Sequence, residues 1–213
     1  MPDILDYKKV YKDLYLPKIV PSTIKVPEIT FVAVDGKGNP NEPNGEYKAA
    51  LELLYAIQYT IKMSKKGVLV PSGYYDYVVP PLEGFWWLDN NKDFSSKSRY
   101  NWVSVIRLPE YVTKEVFKWA CVEAARKKKI NTEKAYMLKF SEGLSVQCMH
   151  IGSFDDEPKT LALMDDYMNK NNLMKDITIK RRHHEIYLSD PRKIEPQKMK
   201  TVLRIPVKKQ SWS

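Results

Sequence analysis

A six-residue segment that occurs twice places the strongest constraint on the fold of this chain. Residues 104–109 read Ser-Val-Ile-Arg-Leu-Pro, and residues 201–206 read Thr-Val-Leu-Arg-Ile-Pro. Each copy follows a strand pattern that carries a Glu, and a strand pattern and a helical pattern precede each of those. Because self-similarity along a chain marks a repeated supersecondary unit, we predict an α+β fold built from two pseudo-symmetric strand-helix-strand-strand repeats.

The two repeats would join their strands into a curved antiparallel sheet, with helices on one face and a ligand groove on the other. A chain of 213 residues, of which 43% are apolar, can bury a core for such a fold. We expect an N-terminal arm (1–25), a single domain (26–207) and a loose tail (208–213). Within the domain, we expect repeat 1 at about 26–109, an inserted helix and strand at about 113–140, and repeat 2 at about 144–207.

Hydrophobic periodicity predicts the elements inside each repeat. Residues 26–34 alternate and are rich in β-branched side chains, which is typical of a strand. Residues 46–66 have apolar side chains at helical spacing, and Gly67 ends the pattern. A second helix is expected at 113–129 with Thr113 as its cap. The other predicted elements are a short helix at 7–14, strands at 74–88 and 101–109, a turn at 89–91, a hairpin of 135–140 and 144–151 across 141–143, and a third helix from Asp155 or Asp156 to about Asn171.

The net charge of +9 raises the hypothesis of a nucleic-acid partner, because 35 Lys and Arg stand against 26 Asp and Glu. The basic residues form only two short runs, 126–129 and 180–182, and neither belongs to a helix-turn-helix, zinc-finger or RNP pattern. A basic run at a helix end also complements the helix dipole. We therefore expect no direct nucleic-acid function.

The two cysteines, Cys121 and Cys148, have neither CxxC spacing nor a matching pair of His ligands. A disulfide scaffold or a structural zinc site is not expected. The N-terminus shows no basic segment followed by an apolar run, and the chain has no uninterrupted span of roughly 20 apolar residues. We expect a cytoplasmic protein with reduced thiols that is neither secreted by that route nor membrane-spanning.

The strand pattern near the C-terminus carries the candidate chemistry. Alternation puts His183, Glu185 and Tyr187 on one face, while His184 and Ile186 point to the other, which we expect to be apolar. An ionisable group on an inner sheet face costs free energy unless a partner or ligand uses it. We interpret Glu185 as the centre of a site; the alternative is a Glu on a solvated strand face. No metal site is expected, because adjacent His side chains on one strand point to opposite faces.

The repeat extends the site to the first half of the chain. Because Ile186 is expected to face the helices, the repeat puts Glu83, Phe85 and Trp87 on the same side as Glu185, and Trp86 in the core. The alternative is that all three aromatic residues at 85–87 belong to the core, where aromatic side chains are common.

These features resemble the GyrI-like small-molecule-binding family. The resemblance rests on the paired halves, on the opening segment 26–38 and on the closing segment 184–192, and it covers about residues 26–207. Similar domains act as effector modules in multidrug-responsive transcription regulators, where a buried Glu and surrounding aromatic residues receive flat, often cationic compounds. The resemblance therefore implies a flat aromatic or cationic small-molecule ligand and no cofactor.

The resemblance also implies an activity. Some stand-alone members are cyclopropanoid cyclopropyl hydrolases, which open the strained ring of DNA-alkylating compounds in an aromatic cage and so protect the cell. Glu185 matches the family's pocket Glu and is assigned as base or water holder, Glu157 as a second acid-base group, and Tyr187 as a hydrogen-bond donor. We expect burial to raise the pKa of Glu185 and a helix N-terminus to lower that of Glu157. The expected ligand-binding residues are Glu83, Phe85, Trp87, Trp119 and His183, with Phe85, Trp87 and Trp119 as cage walls.

Three other functions stay open, and one of them, direct nucleic-acid binding, would predict a steep dependence of binding on salt. A multidrug-binding protein without catalysis would have the same cage and the same Glu. A protein that inhibits DNA gyrase by binding it would need an exposed patch, which the sequence does not reveal. Any such protein partner is unknown.

Overall fold

The computed structural model of the protein describes residues 4–67, 69–88 and 100–210. The turn predicted at 89–91 lies outside these residues. The fold is α+β, and its strands pair in antiparallel fashion. The helices are α1 (Tyr7–Val10), α2 (Lys12–Tyr15), α3 (Glu46–Lys62), α4 (Lys114–Lys128) and α5 (Glu157–Lys170). The strands are β1 (Ser22–Lys37), β2 (Leu82–Leu88), β3 (Tyr100–Arg107), β4 (Tyr136–Ile151), β5 (Leu173–Lys175), β6 (His183–Tyr187) and β7 (Lys200–Lys209).

The chain divides into two compact units, and neither is continuous in sequence. Unit 1 consists of Met1–Val10, Ile29–Pro80 and Trp87–Phe140, and unit 2 consists of Tyr11–Glu28, Pro81–Trp86 and Ser141–Ser213.

In unit 1, β1 pairs with β3 along seven residues, from Phe31 opposite Arg107 to Lys37 opposite Asn101. This register places Gly36 opposite Trp102, whose side chain is fully buried. A Cβ atom built on Gly36 would lie 2.3 Å from the indole ring. Only glycine therefore leaves room for the Trp102 ring at this position of the β1–β3 pair.

The two long helices of unit 1 form where periodicity and capping predict them. α3 buries an apolar stripe that includes Leu54 and Ile57, and a short 3-10 turn, Met63–Lys66, follows it before Gly67. In α4 the Thr113 hydroxyl accepts a hydrogen bond from the Val116 amide at 3.3 Å, which satisfies one of the free N–H groups of the first turn. The predicted cap is confirmed.

In unit 2, β7 pairs with three other strands. Its residues 201–204 pair with β6, residues 200–206 pair with β4, and residues 207–209 pair with β5. The β2 strand pairs with the free side of β6. Methionines of α5 pack on these strands, and the buried core of unit 2 consists of Val146, Cys148, Met164, Met168, Leu173, Leu203, Ile205 and Val207.

The structure corrects several predicted elements. The hairpin is wrong: β4 is one strand that continues through Gly143, where φ is +73°. β2 begins only at Leu82, because Pro80 and Pro81 have no backbone N–H for a strand ladder. The predicted short N-terminal helix is two helices, α1 and α2. Lys208 and Lys209, which are predicted to start a loose tail, belong to β7.

None of the helices in the described ranges is long and apolar enough to cross a membrane.

We predict that Gly36→Ala lowers the free energy of unfolding by about 1–3 kcal/mol, because the added methyl group overlaps the Trp102 ring and forces it to move. Urea unfolding followed by circular dichroism measures this loss. Gly67→Ala is the matched control, since its Cβ would meet only the Ser64 carbonyl oxygen at an ordinary 3.4 Å. Equal stability of the two variants would contradict the argument.

Candidate functional site

The β6 strand carries three polar side chains on one face, as alternation predicts. His183 Nε2 lies 3.1 Å from Glu185 Oε1, and the imidazole donates to the carboxylate. The Tyr187 hydroxyl donates to Glu185 Oε2 at 2.7 Å. Only 14% of the Glu185 side chain is exposed. Both carboxylate oxygens are therefore held in place, which fixes the direction in which Glu185 presents its charge.

The neighbouring β2 strand completes this arrangement. Gly84 lies opposite Glu185 and Trp86 lies opposite His183. The Trp86 indole N–H donates to the Tyr187 hydroxyl oxygen at 2.8 Å, so hydrogen bonds run from Trp86 through Tyr187 to Glu185. A Cβ atom on Gly84 would lie 2.6 Å from Trp86 Nε1 and 3.2 Å from the Tyr187 oxygen. A side chain at this position would break the chain of hydrogen bonds.

Glu157, the first residue of α5, adds a second carboxyl group. Within the described residues, its buried Oε1 atom has no hydrogen-bond partner. Burial, and then the nearby charges of Glu185 and Asp155, raise the pKa of Glu157 well above its ordinary value. The expected lowering by the helix N-terminus is wrong, because burial and like charge outweigh the dipole. This raised pKa favours the neutral acid at pH 7.

We call His183, Glu185, Tyr187, Trp86 and Glu157 the Glu185 site. Its two carboxyl groups have different environments, since Glu185 is held by two hydrogen bonds, whereas the buried Oε1 of Glu157 has no hydrogen-bond partner within the described residues. A pair of this kind can donate a proton from one group and accept a proton at the other.

Glu83 and Phe85 do not share the face of Glu185. Glu83 lies opposite Ile186, and Phe85 lies opposite His184, so both point to the other side of the sheet. The Phe85 ring is buried and packs on the His184 ring at a centroid distance of 4.2 Å. The prediction that Glu83 and Phe85 share a face with Glu185 is wrong, because the register differs from the predicted one by one residue.

The same shift changes the interpretation of the tryptophans. Trp86 was expected in the core, but it is half-buried and hydrogen-bonded to Tyr187. Trp87 belongs to unit 1, where it lines a cleft of about 610 Å³ together with Asp35 and Tyr136. Trp119 is half-buried on α4, also in unit 1. Their role as cage walls stays a prediction.

Sequence reasoning missed several residues around the site. Phe154 contacts the site from the turn before α5, with its ring perpendicular to that of Tyr187 at 6.0 Å. The face of β6 expected to be apolar instead carries a buried polar cluster, whose members besides His184 are Glu83, Glu142 and Arg204. Glu83 and Arg204 each interrupt an apolar strand pattern, which is the signal that the sequence carries for this cluster.

The two adjacent histidines point to opposite faces of β6, as predicted from alternation. His183 contacts Glu185, whereas His184 contacts Glu83 and Glu142. Among the residues that the structure describes, no group of three or more His, Cys, Asp or Glu side chains is arranged to hold a metal ion.

We predict that Glu157→Gln stabilises the protein by about 1–3 kcal/mol at pH 7, because folding then no longer has to hold a proton on a buried carboxyl group. An acid whose pKa is raised in the folded protein costs no stability below its pKa in the unfolded chain, which is near the ordinary value of 4.5. The cost grows as the pH rises above that value. The gain should therefore shrink between pH 7 and pH 4.5.

Urea unfolding at both pH values measures this difference. Glu195→Gln is the control, since 62% of that side chain is exposed and its removal should change stability by less than about 0.5 kcal/mol. A Glu157→Gln variant that is less stable than wild type at pH 7 would mean that Glu157 is a charged, well-solvated carboxylate.

Similar solved structures agree with this fold. An uncharacterized conserved protein from Listeria innocua is 48% identical with a TM-score of 0.91, and the match covers 96% of this chain and 100% of that chain. A hydrolase from Listeria innocua is 47% identical with a TM-score of 0.88 and the same coverage. The EcmrR C-terminal domain is 11% identical with a TM-score of 0.54, covering 89% of this chain and 97% of that chain, which shows likeness of fold alone.

No curated protein matches the chain significantly. A family model described as the GyrI-like small molecule binding domain matches residues 20–208, which is most of the chain. The chain therefore belongs to the GyrI-like family of small-molecule-binding domains.

Proposed function

We propose that the protein binds a flat small molecule at the Glu185 site and hydrolyses a cyclopropane ring conjugated to a dienone. The observation that carries this proposal is the pairing of a neutral, unpartnered acid, Glu157, with an oriented carboxylate, Glu185. Hydrolysis is supported by the hydrolase from Listeria innocua, which is 47% identical to this chain. The cyclopropanoid substrate comes from the resemblance to the stand-alone hydrolases of the family.

The reaction needs a base and an acid at opposite ends of the substrate. Water attacks a ring carbon of the cyclopropane, and the carbon–carbon bond to the spiro centre breaks. The electron pair of that bond enters the dienone ring, which becomes aromatic, and the carbonyl oxygen takes a proton to become a phenol. The water loses one proton and the carbonyl oxygen gains one, so the two transfers balance.

Glu185 suits the role of base. His183 and Tyr187 hold its oxygens, so the remaining lone pairs have a fixed direction toward a water molecule. A well-placed carboxylate that deprotonates water accelerates such a step by about 10²- to 10⁴-fold.

Glu157 suits the role of acid. Its raised pKa keeps the carboxyl group protonated at neutral pH, and its buried Oε1 has no protein partner within the described residues. A neutral carboxyl group can donate to the dienone oxygen as negative charge develops there. Activity that depends on this proton should persist through neutral pH and fall as the pH rises through the raised pKa.

Tyr187 is assigned from the sequence as a hydrogen-bond donor, and the group to which it donates is Glu185. Its O–H is directed at Glu185, and its oxygen accepts from Trp86, so we assign it the orientation of the base. The roles of Trp87 and Trp119 as cage walls stay predictions. The pseudo-symmetry of the two repeats and the single domain at 26–207 also stay predictions.

A binding protein without turnover is the second candidate. The carboxylate of Glu185 lies beside aromatic rings, Tyr187 and Trp86, and Phe154 packs on Tyr187. Aromatic faces and a carboxylate together attract flat cations. This receptor would hold the compound and release it unchanged.

We predict that wild-type protein converts a spirocyclopropyl cyclohexadienone into para-hydroxyethylphenol in many-fold excess over protein. Glu185→Gln should lower kcat by about 10²- to 10⁴-fold, because an amide does not take a proton from water. Loss of the dienone absorbance, corrected for spontaneous hydrolysis, measures the rate. Binding of the dienone should survive, since Gln keeps the shape and one acceptor oxygen.

The control is Glu52→Gln, which changes an exposed residue of α3 in unit 1 and should keep the wild-type rate. If wild type binds the dienone stoichiometrically but forms no phenol, the receptor function replaces hydrolysis. An unchanged kcat in Glu185→Gln would remove Glu185 from the mechanism.

A further inference from the structure

The side of β6 that faces away from the Glu185 site is built around a buried ionic cluster. We call His184, Glu83, Glu142 and Arg204 the His184 cluster. Each of these side chains is 2% exposed, and they come from β6, β2, β4 and β7 in that order. Four charged groups this far from water are costly unless they pair with one another.

His184 is at the centre of the cluster and has a carboxylate on each side. Its Nδ1 lies 3.0 Å from Glu142 Oε2, and its Nε2 lies 2.9 Å from Glu83 Oε2. The second contact is an ion pair that does not have the geometry of a regular hydrogen bond. An imidazole with a carboxylate at each nitrogen needs a proton on both, so the geometry fits His184 as a cation.

Arg204 ties the cluster to the rest of unit 2. It donates from Nη1 to Glu142 Oε2 at 3.2 Å, and from Nη2 to the Leu14 carbonyl oxygen at 2.7 Å and to Gln147 Oε1 at 3.0 Å. Two hydroxyls also contact the cluster: Tyr15 donates to Glu83 Oε1 at 3.4 Å, and Ser145 donates to Glu142 Oε1 at 3.5 Å.

The charges balance only when His184 is protonated. With a cationic His184, two positive and two negative groups cancel; with a neutral His184, one negative charge is left uncompensated inside the protein. Burial alone lowers the pKa of His184, but the charge and hydrogen bond of Glu142, together with Glu83, outweigh it and raise the pKa above its ordinary value. Burial likewise raises the pKa of Glu142, but His184 and Arg204 outweigh it and lower that pKa.

The cluster and the Glu185 site share the same two strands. His184 is the chain neighbour of both His183 and Glu185, and Glu83 is the chain neighbour of Gly84. The ion pair between His184 and Glu83 therefore holds together the same β2–β6 pairing that places Gly84 opposite Glu185. Trp86 lies on β2 and Glu185 lies on β6. A change in the pairing of these two strands would therefore move the two side chains relative to each other.

We propose that the His184 cluster positions the Glu185 site from behind the sheet and makes ligand binding there depend on the proton of His184. The inference rests on the proposed binding of a flat small molecule at the Glu185 site. Loss of the proton leaves an uncompensated buried charge and loosens the pairing of β2 with β6. Binding should therefore be strong while His184 is protonated and should weaken as the pH rises through its raised pKa.

Charge-balanced variants test this proposal. His184→Gln leaves Glu83 and Glu142 facing Arg204 alone, with one surplus negative charge. The double variant His184→Gln with Glu83→Gln removes one positive and one negative group, so Glu142 and Arg204 remain as a neutral pair. The probe is ethidium, a flat cation whose charge stays constant with pH, and its fluorescence is titrated from pH 6 to pH 10. Circular dichroism at each pH checks that the variants are folded.

We expect wild type to lose about tenfold or more in ethidium affinity across the alkaline range. His184→Gln should bind about tenfold more weakly than wild type even at pH 6, and the double variant should recover most of that loss and show no alkaline decline. The Glu185 site itself predicts the opposite trend, because ionisation of Glu157 adds negative charge beside a bound cation. A fall in ethidium affinity at alkaline pH therefore indicates His184, whereas a rise indicates Glu157.

Two results would overturn the inference while leaving the proposed function intact. Wild-type affinity in folded His184→Gln would make the cluster purely structural, and an alkaline decline that persists in the double variant would place the titrating group elsewhere. Glu185→Gln, which removes the charge facing the probe, shows whether ethidium occupies the site. If wild type neither binds ethidium nor converts the dienone, the proposed function and the inference both fail.

Discussion

The pairing of β2 with β6 is the interaction on which the candidate site depends. Its register sets Gly84 against Glu185 and Trp86 against His183, so a position without a side chain adjoins the carboxylate. The same register sends Glu83 and Phe85 to the other face, where they contact His184. A slip of one residue would exchange the two faces and place Glu83 beside Glu185, where two carboxylates would repel each other.

The two faces of β6 differ in whether their buried ionisable groups are paired. Behind the sheet, the carboxylates of Glu83 and Glu142 are matched by His184 and Arg204. On the site face, Oε1 of Glu157 has no hydrogen-bond partner within the described residues, and the pKa of this carboxyl group is raised instead. The paired charges of the His184 cluster stabilise the register of the strands. The unpaired acid, Glu157, costs free energy of folding, and such a cost is typical of a site where a ligand uses the proton.

Local sequence signals predicted much of the fold and part of the site. The stripe of α3, the Thr113 cap of α4 and the shared face of Glu185 and Tyr187 follow from periodicity within one segment. The register between β2 and β6 does not follow from such periodicity, because three consecutive aromatic residues at 85–87 fit either assignment of the two strand faces. Glu142 was assigned to a turn since Ser-Glu-Gly is typical of one, but its ion pairs with His184 and Arg204 lie across the sheet, where a local pattern carries no information.

The assembly of unit 2 from distant segments affects how the chain folds. Arg204 donates to the carbonyl oxygen of Leu14, which lies 190 positions earlier, and Tyr11–Glu28 belongs to the same unit as Ser141–Ser213. Contacts of such long range are slow to form, because a large loop must close before any contact within it is gained. During synthesis the early segment has to wait for β7, so unit 2 is completed only after β7 has left the ribosome.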